Sequence, residues 1–382
     1  MSPLFRLPVL RSSKFIRFGF QQVFRRIPFN LRPLLGIKKG LNPVTLGLCI
    51  QAYTYLIKIF PENADFYRSE IDSLISLLKD MVSPGYGCAC WGYDFDWEAR
   101  YASFEAGTPT IVATGFITNA LYKSFKYAGN KNSGELLLNA AGFVKHLHKT
   151  YSGEGFCWSY SPFDKQAVFN ASMKAARLLT QAYIVSQDES YIDEARRAVS
   201  YVIKHQNDDG SWYYSEGDKR NWVDNFHTGY VLDCLYEYVH AVDDAEATKC
   251  MILGYEYYKD NFFVSGKGSS LLSSLTNLSF PQKRESRIEQ GVSIIPKYYS
   301  NRIYPIDSTS SAQTILTLTR FGDMEIAGKV AEYMLGNMYD NQGHFHYRKG
   351  KFFTNRIHYM RWSTAWMFLA LSYLLFTKAE TK

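Results

Sequence analysis

The sequence predicts an all-α fold, an (α/α)6 toroid with short hairpin-like loops at the mouth of a central funnel. Three observations predict it. From residue 43 onward apolar residues recur at helical spacing in one segment after another, strand patterns are nearly absent, and the helical segments come in pairs divided by glycine-aromatic loops. The first helices of the pairs begin near 43, 108, 169, 225, 308 and 360. Their partners fall near 63–82, 132–150, 189–206, 245–262 and 323–339. Six first helices make an inner ring, and five partners leave one outer place open.

Taken in chain order, residues 1–40 form a basic arm. The first ten charged residues, from Arg6 to Lys58, are all Lys or Arg, and the first acidic residue is Glu62, so the net charge of +7 belongs to this end. Ile16, Phe20, Val23, Phe24 and Ile27 share one helical face, with Arg11, Lys14, Arg17 and Arg25 opposite. Two expectations follow. Either the segment 12–27 packs into the open outer place, or it lies on an anionic membrane surface. Nucleic acid is not expected, because the arginines alternate with large aliphatics and no binding motif accompanies them.

Residues 41–382 read as a single toroid domain. Hydrophobic residues make up 46% of the chain, enough for a large core and too many for disorder. No stretch reaches the ~18 apolar residues of a membrane span. The arginine-studded start does not read as a secretory signal, so a reducing cytoplasm with inert thiols is expected. Cys88 and Cys90 lack a second ligand pair, and neither metal nor cofactor is expected. One interval departs from the period. It contains residues 266–292, Ser-rich and then charged, where "FPQKRESR" resembles a translated bacterial repeat element. This reads as an exposed insertion, with a substrate lid as the alternative.

The polar residues of the loops are placed by the ring itself. Inner helices of such a ring all point one way, so the residues before their N-termini meet at one rim. Trp91, Tyr93, Asp94, Asp96, Trp97 and Arg100 precede the second inner helix, and Trp158 precedes the third. Trp222, Asp224, Asn225 and His227 mark the entrance of the fourth, with Tyr230 one turn on. Asp307 precedes the fifth, and Arg356, Arg361 and Trp362 accompany the sixth. Helix capping accounts for an Asp or Asn at such a place, but not for indoles and arginines.

The stretch from Arg197 to Trp212 resembles one QW repeat of terpene-cyclase toroids, through Ala198, Tyr201, Val202, Gln206, Gly210 and Trp212. The motifs "CWGYDFDWEAR", "GTPTIVATGF", "WVDNFHTGYVL", "YPIDSTSSAQ" and "HYMRWSTAWMFLALSYLL" together resemble the VpsJ-type toroidal proteins of bacterial capsule and exopolysaccharide clusters. That resemblance implies an (α/α)6 barrel and a role in surface-polysaccharide biosynthesis.

Three functions fit the residues. A uronate epimerase or lyase would use His227 and Tyr230 for proton transfer, with Arg361 or Arg100 on the carboxylate. A glycoside hydrolase, inverting or retaining, would take two carboxyls from Asp94, Asp96, Asp224 and Asp307. A non-catalytic glycan-binding or scaffold protein would use the same rim without chemistry. The expected partner is a saccharide or anionic glycan, with peripheral contact to an anionic membrane or to the polysaccharide synthesis machinery, and the expected place is the cytoplasm or the inner face of the membrane.

Overall fold

The computed structural model describes residues 13–37, 39–99, 102–217, 219–265, 293–340 and 342–381. After an N-terminal helix α1 (Lys14–Arg26), six helices form an inner ring: α2 (Pro43–Ile59), α4 (Ile111–Ala128), α6 (Phe169–Ser186), α8 (Asn225–Val239), α10 (Ser308–Arg320) and α12 (Ala365–Glu380). Each packs on the next, and α12 returns to α2 to close the ring. Outside them lie α3 (Ala64–Asp80), α5 (Lys131–Ala141), α7 (Glu189–Lys204), α9 (Ala245–Asn261) and α11 (Met324–Met338). The expected (α/α)6 toroid is the observed fold.

Sequence pattern separates the two rings. Every residue of α10 is buried, as are Ile111 through Ser124 of α4, because inner helices have neighbours on all sides. On α3 only Ile71, Ile75 and Leu78 are buried, a single stripe at i, i+4 and i+7 facing inward. Asn42, Thr110, Asp224 and Asp307 each accept a hydrogen bond from a first-turn backbone N–H, so four of the inner helices start on a side-chain cap.

Further along the inner helices the ring is filled by polar side chains. Gln181 donates to Asn119 Oδ1 at 2.9 Å, and Asn119 donates to Gln51 Oε1 at 3.0 Å, joining α6, α4 and α2. Lys123 lies 2.8 Å from Glu237, Arg320 lies 3.4 Å from Asp233, and Gln313 donates to Asp233 at 2.8 Å, joining α4, α8 and α10. Such a belt is tolerable in a core only because its members supply one another's partners.

The loops carry short antiparallel pairs. β1 (Trp97–Glu98) pairs with β2 (Ser103–Phe104), and β3 (Lys149–Ser152) with β4 (Gly155–Trp158). β5 (Phe263–Ser265) pairs with β6 (Ile294–Pro296), Ser265 opposite Ile294. β7 (Ile306–Asp307) pairs with β8 (Arg348–Lys349), which pairs with β9 (Thr354–Asn355). The expected insertion 266–292 lies outside the described residues. The QW-like stretch joins outer helices: Gln206 Nε2 donates to the carbonyls of Gly210 and Cys250, both at 2.9 Å, and Trp212 Nε1 donates to Val202 O at 3.0 Å.

α1 departs from the packing expectation. Arg17 pairs with Glu98 at 2.6 Å, and Gln21 exchanges hydrogen bonds with the Glu98 backbone, so the helix meets β1 through a polar edge. Ile16, Phe20 and Val23 are exposed, Val23 at 57%. Arg32 continues the attachment, donating to the Tyr359 hydroxyl at 2.8 Å.

Candidate functional site

A cavity enclosing about 650 Å³, open mouth included, lies at the N-terminal ends of the inner helices. Its walls come from five of the rim segments. Tyr93 and Tyr160 enter from loops, Asn170, His227, Tyr230 and Thr309 from the first turns of α6, α8 and α10, and Asp307, Arg348, Arg361 and Trp362 from the last rim segments. With so many helix N-termini directed at one space, the backbone alone biases it toward negative charge.

Asp224 and His227 form a built pair. The Asp224 carboxylate is nearly fully buried; Oδ1 accepts from the His227 backbone N–H at 3.0 Å and Oδ2 lies 2.7 Å from His227 Nδ1. A three-residue separation on the first helical turn brings cap and imidazole to the same face, so one carboxylate both starts the helix and fixes the ring. With Nδ1–H donating to Asp224, Nε2 carries the lone pair, and no group among the described residues bonds it. Tyr214 packs edge-on against the imidazole at 4.6 Å and Phe226 lies 4.0 Å away.

Arg361 supplies the charge. Its Nε and Nη1 are buried without a hydrogen-bond partner, and no carboxylate pairs with it among the described residues. Aromatic faces of Tyr93, Phe116, Trp362 and Trp366 surround the guanidinium at 5.8–6.0 Å. It projects from a π-turn, Met360–Thr364, that precedes α12, and the wider turn displaces Arg361 and Trp362 from the path of a regular helix. Asn170 Nδ2, also on the cavity wall, is a second buried donor without a partner. Unpaired buried donors on a cavity wall are groups that an acceptor entering the cavity can satisfy.

The other cavity groups hold fixed roles. Asp307 caps α10 and accepts two hydrogen bonds from Arg348, at 2.9 and 2.7 Å, so this carboxylate is already neutralised. Burial pushes the phenols of Tyr160, Tyr230 and Tyr298 well above the usual tyrosine range, and that of Tyr214 up to about 12. They are proton donors at neutral pH, not bases. Beneath Phe116 and Tyr230 the Lys174 amine is fully buried, 3.7 and 3.9 Å from the two ring centroids, and burial pushes its pKa well below the ordinary lysine value.

Several predicted site residues lie elsewhere. Trp91 is fully buried, its Nε1 donating to Leu78 O at 2.8 Å, and Trp158 is fully buried against Phe156. Neither indole faces the cavity, because each fills the gap between a loop and the core. Asn225 is enclosed by Lys297 O, the Thr314 hydroxyl and the Tyr258 hydroxyl, which use both ends of its amide. Asp94 is exposed beside Gly40, and Asp96 accepts from the Ala106 backbone at 2.7 Å to brace its own loop. Trp97 stacks on Phe104 with centroids 4.4 Å apart. Trp222 stacks on Tyr214 and lines a smaller pocket, which includes Asp224 and shares Asn170, Tyr214 and His227 with the cavity. Arg356 is exposed outside the cavity wall, and Arg100 lies outside the described residues.

Sequence reasoning missed Phe116, Asn170, Lys174, Tyr214, Tyr298, Tyr347 and Arg348, whereas Tyr160, before the third inner helix, is a rim residue that the loop position itself indicates. Lys174 shares its inner helix with Asn170, Arg177 and Gln181, so its sequence position does not single it out.

No family profile and no curated protein matches the sequence. In fold the chain is similar to a GH76 α-mannanase of Bacteroides thetaiotaomicron, with a TM-score of 0.66, 11% identity, and 91% of this chain and 90% of that one covered. A sugar epimerase from a ruminal bacterium aligns with a TM-score of 0.61 and 11% identity over 90% of each chain. An unsaturated glucuronyl hydrolase specific for heparin aligns with a TM-score of 0.56 and 10% identity over 88% of this chain and 86% of that one. These likenesses establish the chain as an (α/α)6 toroid of the architecture those carbohydrate-active enzymes use.

Proposed function

We propose that the protein is an enzyme that transfers a proton at the carbon beside the carboxylate of a uronate-containing saccharide. One observation carries the reading: a histidine fixed through Nδ1 by a buried carboxylate shares a cavity with an arginine whose buried donors lack partners. Arg361 neutralises the sugar carboxylate, which acidifies the adjacent C–H and stabilises the enolate-like charge that develops on proton removal. His227 Nε2 takes that proton, and Asp224 holds the imidazolium that results. The neutral Tyr230 phenol is the donor on the cavity wall, and Tyr93 and Trp362 offer faces for the sugar's C–H surface. Reprotonation from the opposite side gives the epimer, while departure of the substituent on the next carbon gives an unsaturated uronate.

The hydrolase reading is less well supported. It needs two carboxyls across a glycosidic bond, about 5–9.5 Å apart. Asp307, the carboxylate on the cavity wall, is committed to Arg348, Asp224 to His227, and Asp94 and Asp96 lie outside. The similarity of the motifs to capsule-cluster toroids supports a place in surface-polysaccharide biosynthesis, in the cytoplasm and next to the membrane.

The test is to incubate the purified protein with uronate-containing oligosaccharides in deuterated water and follow solvent deuterium into the position beside the carboxylate. Exchange that disappears in His227→Gln supports the proposal. Glycosidic cleavage with no exchange and no unsaturated product supports the hydrolase instead.

A further inference from the structure

We propose that Asp340, His344 and His358 form a binding site for one divalent transition-metal ion of the zinc class, separate from the cavity and joining two of its wall segments. The ligand atoms of the three side chains lie within 4.8 Å of one another. His358 Nε2 is 2.8 Å from Asp340 Oδ2, and His344 Nδ1 is 3.6 Å from Asp340 Oδ1, so both imidazoles offer a nitrogen to the same carboxylate. Ion–ligand distances of about 2.0–2.2 Å to nitrogen and oxygen need only a small inward movement of side chains already this close.

Two observations separate this cluster from an ordinary Asp–His contact. The His344 and His358 rings stack nearly parallel, with centroids 4.2 Å apart and 6° between planes. Stacking of this kind holds both imidazoles beside the one carboxylate, where two ligands of a common ion must sit. His344 Nδ1 is also buried with no hydrogen-bond partner, a cost that coordination removes. Two imidazoles and one carboxylate suit zinc, cobalt or nickel better than calcium or magnesium, which prefer all-oxygen shells. The three residues leave coordination positions for water. Their spacing, Asp-x3-His-x13-His, matches no motif recognisable in the sequence.

Position gives the site its effect. Asp340 and His344 lie in the loop after α11, and four residues beyond His344 comes Arg348, the partner of Asp307. His358 lies two residues before the π-turn that carries Arg361 and Trp362. A bound ion therefore ties the hairpin of Arg348 to the turn of Arg361.

The experiment uses tag-free full-length protein stripped with a chelator. Cobalt is titrated by its visible absorption, zinc by calorimetry, and melting is followed with and without zinc. Wild type should bind one ion per chain and melt about 2 °C or more higher with saturating zinc. Replacing the exposed His358 by Gln, a change that leaves the core untouched, should weaken binding at least about tenfold and remove the melting shift. His344→Gln should do the same, and His146→Gln, outside the cluster, should bind as wild type does. Absence of stoichiometric binding in wild type, or equal binding by His358→Gln, would overturn the site.

Discussion

His227 and Arg361 divide the proposed reaction between them, and their variants should fail in different ways. His227→Gln keeps a hydrogen-bonding group of similar size but cannot take a proton, so kcat should fall by about 10²–10⁴ with substrate affinity retained. Arg361→Gln should lower kcat as well, since Arg361 stabilises the developing enolate, and in addition raise KM for the carboxylated saccharide and lose the preference over its neutral counterpart. Steady-state kinetics on both variants checks the pair, and a KM effect from His227→Gln with unchanged kcat would reassign it to binding. At this scale the sequence was a fair guide at the entrance of α8, since the positions of Asp224, His227 and Tyr230 follow from helix phase. It misplaced Trp91, Trp158 and Asn225 because a rim position does not reveal whether a large side chain turns outward or plugs the core. Arg361 reaches the cavity through a π-turn that helix phase does not encode, and Arg348 came from the far side of a hairpin, where nothing local marks such a pairing.

Among the elements, α8 carries the most unlike neighbours. Its N-terminus holds the imidazole, and two turns further on Asp233 and Glu237 enter the buried belt with Lys123 and Arg320. Burial alone would raise the Glu237 carboxyl, but the cations of Lys123 and Arg320 bring it down to about 2. A carboxyl held below its unfolded value of about 4.3 stabilises the fold above that pH and loses the contribution as pH falls toward 2. Acid unfolding should therefore steepen between about pH 4.3 and 2. Glu237→Gln should flatten that limb and, by leaving Lys123 unpaired in the core, cost about 3–5 kcal/mol at neutral pH by chemical denaturation. The helices themselves were legible, with first helices expected at 43, 169, 225 and 308 starting where the sequence placed them. The last was expected at 360 and begins as a π-turn, a distinction of hydrogen-bond register that side-chain periodicity does not encode.

On the scale of the whole molecule, the N-terminal helix faces away from the toroid's core. Its polar edge is tied to Glu98, Phe15, Ile16, Phe20 and Val23 are exposed while Phe18 and Phe24 are half-buried, and the chain around it is basic. Among the described residues no helix is long and apolar enough to cross a membrane, so an association through this arm would be interfacial, with apolar insertion and attraction to anionic headgroups acting together. Co-sedimentation should detect binding to vesicles containing phosphatidylserine and not to neutral ones, weakening as salt rises. Val23→Asp should reduce that binding while leaving the melting temperature within about 1 °C, since exposed substitutions cost little. A large loss of stability would mean that the face is covered.

The β5–β6 pair has a practical consequence. Ser265 stands opposite Ile294 in one ladder, so the strands on either side of 266–292 meet at a single rung. The ladder holds those two ends together, and the closure entropy of a connection between them grows only slowly with its length. That rung is a splice port. A two-residue turn in place of 266–292 should leave the melting temperature unchanged, and a fluorescent domain with adjacent termini, inserted there, should report on the intact toroid without occupying either chain end.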